Sequence, residues 1–301
     1  MADIKAESSP PTSDKAKYLH HFEGILVGDM FEESWLRSAF RYEPREEDVY
    51  VMGFPKTGTT WLHFVLQRIV NNASETPAQS AATCLPNVAF LEFAGGEKEA
   101  SHRNIQQPQM RTQTSSVKRE RLRSLSETWY VYVLRNPYDT CVSYYHQVQQ
   151  KAPGCGDLTF DEFFEQFIGG WIHPNDYFDH LASWFAHKAR PNFLCIAYEY
   201  MNKDPRSDLS PDIMKRAFAE ALSARQQEKS VKGRPPNGAS DDLSDGANKL
   251  KGGSLVRTVT VGDWKNYFSA SQIKRMKAKM ASKTEGFRTG LEVLWKDANL
   301  P

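Results

Sequence analysis

Residues 49–65 read Val-Tyr-Val-Met-Gly-Phe-Pro-Lys-Thr-Gly-Thr-Thr-Trp-Leu-His-Phe-Val, and they govern the interpretation of the whole chain. The first four residues, 49–52, are apolar or aromatic and predict a short buried strand. Residues 61–70 carry apolar side chains at helical spacing. Two glycines, a proline, a lysine and three threonines lie between these two segments. The stretch therefore predicts a strand that turns sharply into a helix.

Such a turn can hold an anion. The first N–H groups of a helix have no intrahelical acceptor, and the helix dipole places positive charge beside them. Gly53 and Gly58 allow the backbone to approach the anion closely. Lys56 adds a full charge, and hydroxyl donors are expected from Thr57, Thr59 and Thr60. An ordinary turn with an exposed lysine is the alternative, but it would not need five small or hydroxyl residues around one lysine.

The loop differs from a nucleotide P-loop in one position. Gly53 and Gly58 fit the G-x-x-x-x-G frame, but Thr59 stands where the Walker lysine should be, and the lysine is found at position 56. The string from Pro55 to Trp61 resembles the 5′-phosphosulfate loop of the cytosolic sulfotransferase family. That resemblance implies a set of cofactor-binding residues in this loop: Lys56, Thr57, Gly58, Thr59, Thr60 and Trp61.

A second motif follows residues 129–134, which are nearly all apolar or aromatic and predict an interior parallel strand. Asn136 is a suitable N-cap and Pro137 a suitable first helical residue, so a helix should start at once. Arg135 would then lie at the carboxyl end of the strand, where its planar fork could bind a phosphate. In the alternative interpretation, Arg135 pairs with Asp139 and Ser143 only caps.

The sulfotransferase resemblance extends to this motif and beyond it. The family pattern Arg-Asn-Pro-x-Asp-x-x-Val-Ser is present, which implies that Arg135 and Ser143 bind the 3′-phosphate of the cofactor. The resemblance also places Tyr198 beside the adenine and gives Arg257 a third contact to the 3′-phosphate. Lysine and glycine of that last family motif are replaced here by Thr258 and Val259.

The strip that carries the catalytic histidine in the family is altered in this chain. The family motif Lys-Thr-His corresponds to Arg111, Thr112 and Gln113. The resemblance makes Arg111 and Gln113 the catalytic positions, but a neutral amide cannot act as a base at neutral pH. Loss of a general base typically lowers the rate by about 10²–10⁴-fold. Three other histidines are candidates to replace it: His63, His102 and His146.

The remaining segments give a coarse map of the chain. Residues 1–17 predict a loose arm, residues 18–301 one domain, and residues 225–253 a flexible loop within it. Residues 18–40 are expected to be packed but partly irregular, and a helix is expected over 89–93. Further elements are a strand at 193–198 and helices at 160–168, 176–188, 211–224 and 272–284.

Composition limits the class of protein. The 301 residues are 40% hydrophobic and 25% charged, with a net charge of +1, so neither a nucleic-acid coat nor a membrane-surface protein is expected. Four scattered cysteines, without metal or disulfide spacing, favour reduced thiols in the cytoplasm. No apolar run is long enough to span a membrane. A polar N-terminus without a signal-peptide core agrees with that compartment.

Together these patterns predict an α/β fold with an open, mostly parallel sheet flanked by helices and ligands at the strand ends. The resemblance implies transfer of a sulfuryl group from 3′-phosphoadenosine 5′-phosphosulfate (PAPS) to a hydroxyl or amine of a small apolar acceptor, without a metal. Two alternatives stay open: a nucleotide-binding protein with little turnover, and a P-loop kinase. The family's dimer contact is degraded around Lys265 and Lys274, which leaves a homodimer open.

Overall fold

The computed structural model describes about half of the chain, in separate ranges. These are residues 18–42, 49–62, 89–90, 110–113, 129–152, 154–203, 261–286, 290–291, 295, 298 and 300–301. The expected arm at 1–17, the helix at 211–224, the loop at 225–253 and Arg257 lie outside the described residues, as does the first helix beyond Leu62.

The described residues form both strands and helices. The strands are β1 (Leu19–Phe22), β2 (Ile25–Gly28), β3 (Val49–Met52), β4 (Ala89–Phe90), β5 (Met110–Gln113), β6 (Trp129–Leu134) and β7 (Phe193–Ala197). The helices are α1 (Glu33–Arg41), α2 (Pro137–Lys151), α3 (Phe160–Gly169), α4 (Tyr177–Phe185), α5 (Tyr198–Lys203) and α6 (Ala270–Thr284). A 3₁₀ turn covers Asp263–Asn266, and residues 59–62 begin the helix that follows β3.

The central sheet is parallel and has the strand order β4-β5-β3-β6-β7. Its register places Met52 opposite Gln113 on one side and opposite Tyr132 on the other. Leu134 of β6 is paired with Ala197 of β7. Because all five strands run in one direction, their carboxyl ends meet at a single edge. The predicted α/β class with a parallel sheet is therefore confirmed.

The two faces of the sheet have different side chains. On β3 and β6 the tyrosines, Met52 and Leu134 point to one face, where they join a large aromatic core with α2, α3, α4 and α6. The valines of the same strands point to the other face and pack with Leu62, Tyr198 and Met201. Each strand is thus buried on both sides, which is why the sequence shows continuous apolar runs instead of simple alternation.

The helices begin at the residues that the sequence offers as caps. Asn136 caps α2 by accepting a hydrogen bond from the Asp139 N–H, and Pro137 is the first helical residue, as predicted. Thr159 and Ser269 form capping boxes at the starts of α3 and α6. Asp176 caps α4.

The N-terminal segment is more regular than expected. Strands β1 and β2 form an antiparallel hairpin, and α1 packs on it through a small apolar cluster. The hairpin is fixed to the loop before α4: Asn175 Oδ1 accepts a hydrogen bond from the Leu26 N–H at 2.7 Å, and His173 Nδ1 lies 3.1 Å from the Leu26 carbonyl oxygen. The irregular part of residues 18–40 is confined mainly to the turns at 23–24 and 29–32, because docking on this loop stabilises local structure that has no clear sequence period.

The helix expected over 89–93 is also wrong in its described part. Ala89–Phe90 is a strand that pairs in parallel with β5. Hydrogen bonding to a neighbouring strand overrides a weak local helix preference. The strand predicted at 193–198 is confirmed but ends at Ala197, since Tyr198 already begins α5.

The His173 side chain should make stability depend on pH. Burial lowers the pKa of His173 from 6.5 to about 4. The unfolded chain therefore takes up a proton before the folded protein does. The resulting stability is present above pH 6.5 and is lost as the pH falls towards 4, with a limit of about 3 kcal/mol at 1.36 kcal/mol for each pH unit. Urea unfolding at a series of pH values measures this loss.

The control for this prediction is His173→Asn, which keeps a side-chain N–H donor but does not titrate. We expect its free energy of unfolding to fall less steeply between pH 6.5 and 4 than that of the parent. Equal slopes for the two proteins would contradict the assignment to His173.

Candidate functional site

Three of the predicted cofactor-binding segments follow adjacent strands at the carboxyl edge of the sheet. The loop with Lys56 follows β3, Arg135 follows β6, and Tyr198 follows β7. From β3 the chain continues to the β4–β5 side, whereas from β6 it continues to the β7 side. A crevice opens where connections diverge in this way, and ligands of open parallel sheets bind there.

The glycines of the loop after β3 are required by close contacts. A Cβ atom at Gly53 would lie 2.6 Å from Thr57 Oγ1 and 2.7 Å from the Val133 carbonyl oxygen. Gly58 has φ +109°, and a Cβ atom there would lie 2.6 Å from the Tyr198 ring. Lys56 has φ 71°, an uncommon conformation for a residue with a side chain. The loop therefore has a constrained backbone with one cationic residue at its turn.

The donors of the loop divide into two groups. Thr57 is fully buried, and both its N–H and its hydroxyl donate to the Phe54 carbonyl oxygen, at 3.2 and 2.7 Å. This differs from the expected donation by the Thr57 hydroxyl to an anion. The first helical bond runs from the Leu62 N–H to the Gly58 carbonyl oxygen. The four N–H groups of residues 58–61 therefore precede the intrahelical ladder, and N–H groups at such a position can bind an anion.

Arg135 lies against this loop. Its Nη1 donates to the Lys56 carbonyl oxygen at 3.3 Å, and its guanidinium carbon lies 4.3 Å from the centre of the Tyr198 ring. The side chain is buried, and its Nε has no hydrogen-bond partner among the described residues. A buried cation with an unused donor is costly unless a further acceptor is supplied. The position thus suits an anionic ligand at the edge of β6.

Asp139 has a different partner from the one in the alternative interpretation. Its carboxylate accepts hydrogen bonds from Asn136 Nδ2 at 2.9 Å, from the Gly262 N–H at 2.8 Å and from the Trp264 N–H at 3.1 Å. These hydrogen bonds connect the 3₁₀ turn to the start of α2, whereas Arg135 contacts the Lys56 loop. The proposed pairing of Arg135 with Asp139 is therefore wrong.

A comparison with known proteins gives the family of the chain. The family model described as "Sulfotransferase domain" matches residues 46–288. The chain belongs to the sulfotransferase family. The resemblance inferred from the phosphate loop and the Arg135 motif is confirmed.

Individual relatives and solved structures agree with this assignment to the sulfotransferases. The chain is 27% identical to human sulfotransferase 1C2 over 91% of its length and 96% of that protein, and 28% identical to zebrafish sulfotransferase 6B1 over 95% of both. It is similar in fold to mouse sulfotransferase SULT7A1 complexed with PAP, with a TM-score of 0.67, 23% identity and coverage of 93% and 99% of the two chains. Retinol dehydratase in complex with androsterone and inactive cofactor PAP has a TM-score of 0.62, 16% identity and coverage of 90% and 91%.

The other predicted site residues of this sulfotransferase are placed as follows. Arg111 and Gln113 lie on β5, with Gln113 at its carboxyl end, directly beside Met52 and the start of the Lys56 loop. Ser143 is half-buried on α2. His146 Nε2 lies 2.9 Å from the Tyr267 hydroxyl. His63, His102 and Arg257 lie outside the described residues.

Tyr198 packs between the two halves of the site. Its ring contacts Gly58, lies beneath Arg135 and meets Trp61 edge-on at 5.8 Å between centroids. Burial raises the pKa of its hydroxyl. These contacts fix the loop and the guanidinium relative to each other. The predicted adenine contact of Tyr198 stays a prediction.

Sequence reasoning assigned no role to Glu199. Glu199 is buried, and its Oε1 accepts hydrogen bonds from the N–H and the side-chain amide of Asn136, at 2.8 and 2.7 Å. The signal available was an acidic residue directly after a buried strand that ends beside the Arg135 turn. No group of three or more His, Cys, Asp or Glu that could bind a metal occurs within the described ranges.

The close contacts of Gly53 lead to a stability prediction. Gly53→Ala would place a methyl group against a backbone carbonyl, and we expect overpacking to lower the free energy of unfolding by about 1–3 kcal/mol. Gly156→Ala is the matched control, because a Cβ atom there meets no atom within 4 Å. Its effect should stay within about 0.5 kcal/mol. Urea unfolding measures both, and equal effects would contradict the contacts described for Gly53.

Proposed function

We propose that the protein transfers a sulfuryl group from PAPS to a hydroxyl or amine of a small apolar acceptor. The observation that supports this most is the contact between Arg135 and the Lys56 loop in the crevice beside β3 and β6. The Arg135 side chain, the backbone of the Lys56 loop and the first residues of the following helix meet there. Such a site suits a ligand with two separate phosphate groups. The relatives that carry sulfotransferase names and the neighbours that contain PAP favour a 3′-phosphorylated adenine nucleotide.

Each side chain has a distinct task in this proposal. The N–H groups of residues 58–61 bind the 5′-phosphate, and Thr59 and Thr60 add hydroxyl donors. Arg135 and Ser143 bind the 3′-phosphate, with Arg257 as a third ligand. Lys56 neutralises the oxygen that leaves between phosphorus and sulfur. In-line transfer needs positioning and charge stabilisation more than covalent help from the protein.

The residue at position 113 limits which acceptors can react. The new bond joins the acceptor oxygen or nitrogen to sulfur, the sulfur–oxygen bond to the 5′-phosphate breaks, and the acceptor proton must leave. Gln113 ends the strand beside the Lys56 loop, but its amide cannot take that proton. Acceptors that are already ionised at neutral pH avoid this difficulty. We therefore place acidic phenols first among the acceptors.

The same observation supports a second candidate function. A protein that binds PAPS or its product PAP without rapid turnover would need the anion donors and Arg135 but no base. Loss of the histidine at position 113 favours this candidate. A P-loop kinase is the third and weakest candidate, since the lysine lies inside the loop at position 56. The scattered cysteines favour a cytoplasmic protein in all three cases, and Cys141, Cys155 and Cys195 are free thiols.

Removal of the Lys56 charge tests the first candidate. We expect Lys56→Met to lower kcat for sulfuryl transfer by about 10²-fold or more with a smaller change in KM, because the charge stabilises the transition state most. Lys277→Met, at an exposed position of α6, should keep the parental rate. Release of PAP with a phenolic acceptor is the measurement. Tight PAP binding without any turnover by the parent would favour the binding protein, and phosphoryl transfer from ATP would favour the kinase.

Restoration of a base tests the role of position 113. Gln113→His should raise kcat/KM for weakly acidic alcohols by about 10-fold or more, while the gain with acidic phenols should be small. The parent should show a steep dependence of rate on acceptor acidity. A parent that sulfates simple alcohols as fast as acidic phenols, with no gain in the variant, would show that another group acts as the base.

A further inference from the structure

Glu199 is buried beside the turn that carries Arg135, the residue predicted to bind the 3′-phosphate. It is the second residue after β7, and its side chain is 1% exposed. One carboxylate oxygen, Oε1, accepts two hydrogen bonds from Asn136, the residue directly after Arg135. The other oxygen, Oε2, has no partner among the described residues. The carboxylate is therefore hydrogen-bonded to the turn that carries Arg135.

Arg135 is held from two sides by consecutive residues of one segment. The Tyr198 ring lies beneath its guanidinium at 4.3 Å, and Glu199 holds the following peptide N–H at 2.8 Å. The backbone carbonyl of Arg135 accepts a hydrogen bond from the Tyr177 hydroxyl at 2.5 Å. Both N–H groups of the Asn136 amide are also used, one by Glu199 and one by Asp139. Little freedom remains for the turn.

We propose that Glu199 is a positioning residue that aims Arg135 at the 3′-phosphate by accepting both hydrogen bonds from Asn136. This inference rests on the proposed function and adds to it a residue that determines nucleotide selectivity. Without Glu199, the Asn136 N–H and one amide hydrogen would be buried without acceptors, and the turn would shift to reach water. A shift of the turn moves the guanidinium away from its phosphate.

The charge of Glu199 works in the opposite direction from its hydrogen bonds. A buried anion near Arg135 competes with the phosphate for the same cation, and burial already raises the pKa of the Glu199 carboxyl. The Asn136 donors and Arg135 lower that pKa again. Glu199 therefore positions Arg135 through the hydrogen bonds that it accepts and not through its charge. A glutamine at 199 supplies the same acceptor oxygen without the charge, which separates the two effects.

Selectivity between two nucleotides provides the test. PAP and adenosine 5′-monophosphate differ only in the 3′-phosphate, so the ratio of their Kd values reports on Arg135 and is independent of the fraction of active protein. Charged hydrogen bonds of this kind correspond to about 10–100-fold in affinity, and the parent should prefer PAP by that factor. Glu199→Leu should lower the preference by about tenfold, whereas Glu199→Gln should retain it. Calorimetry with each nucleotide measures the ratio.

Gln166→Leu is the matched control, because Gln166 is also buried and accepts a hydrogen bond from the Tyr18 hydroxyl away from Arg135. A merely structural role of Glu199 would reduce binding of both nucleotides in parallel. An unchanged ratio in a folded Glu199→Leu protein, or an equal loss in Glu199→Gln, would overturn the proposal.

If Glu199→Leu does not fold, Glu199→Asp can replace it, because the shorter side chain withdraws the carboxylate by one methylene. The ratio of its Kd values for the two nucleotides is then interpreted in the same way. A parent that binds PAP no better than adenosine 5′-monophosphate would instead overturn the proposed function and this inference with it. If the parent prefers PAP and the Glu199 variants keep the same ratio of Kd values, only the inference about Glu199 is overturned.

Discussion

The parallel pairing of β3 with β6 is the constraint on which the site depends. These strands are adjacent in space although residues 53–128 separate them in the chain. Their common direction puts the Lys56 loop and Arg135 at one edge, and their register brings the two within hydrogen-bond distance. The divergence of the following connections opens the crevice between them. An antiparallel pair would place the two cationic residues at opposite ends of the sheet.

A buried polar network maintains this arrangement inside an otherwise aromatic core. Glu199, Asn136 and Asp139 are each almost fully buried and share hydrogen bonds in a chain that reaches from the end of β7 to the 3₁₀ turn. Carboxylates are costly to bury unless their oxygens accept several donors. The two carboxylates accept five hydrogen bonds from backbone or side-chain amide N–H groups, and these bonds fix the turns relative to each other. Stability and site geometry therefore depend on the same contacts.

Much of this arrangement follows from the sequence, and the remainder has identifiable reasons. The strands at 49–52 and 129–134 could be predicted because burial on both faces requires apolar residues throughout, and the α2 cap because Asn136 and Pro137 act locally. Pairing across the chain could not be predicted in the same way. The edge strand at 89–90 depends on a neighbouring strand, and two of the donors to Asp139, the N–H groups of Gly262 and Trp264, lie more than a hundred residues away. Thr57 is similar, since its residue type suits an anion ligand and an internal loop contact equally well.

Asp139 accepts hydrogen bonds from the backbone N–H groups of Gly262 and Trp264. These bonds affect the order in which the protein can fold during synthesis. The ribosome completes α2 long before residues 262–264 have left the exit tunnel. Until then the Asp139 carboxylate lacks two of its three donors, and we expect the start of α2 to stay hydrated. The sheet can assemble on the emerging chain, whereas the Asp139 contacts to the 3₁₀ turn form only after residues 262–264 have emerged.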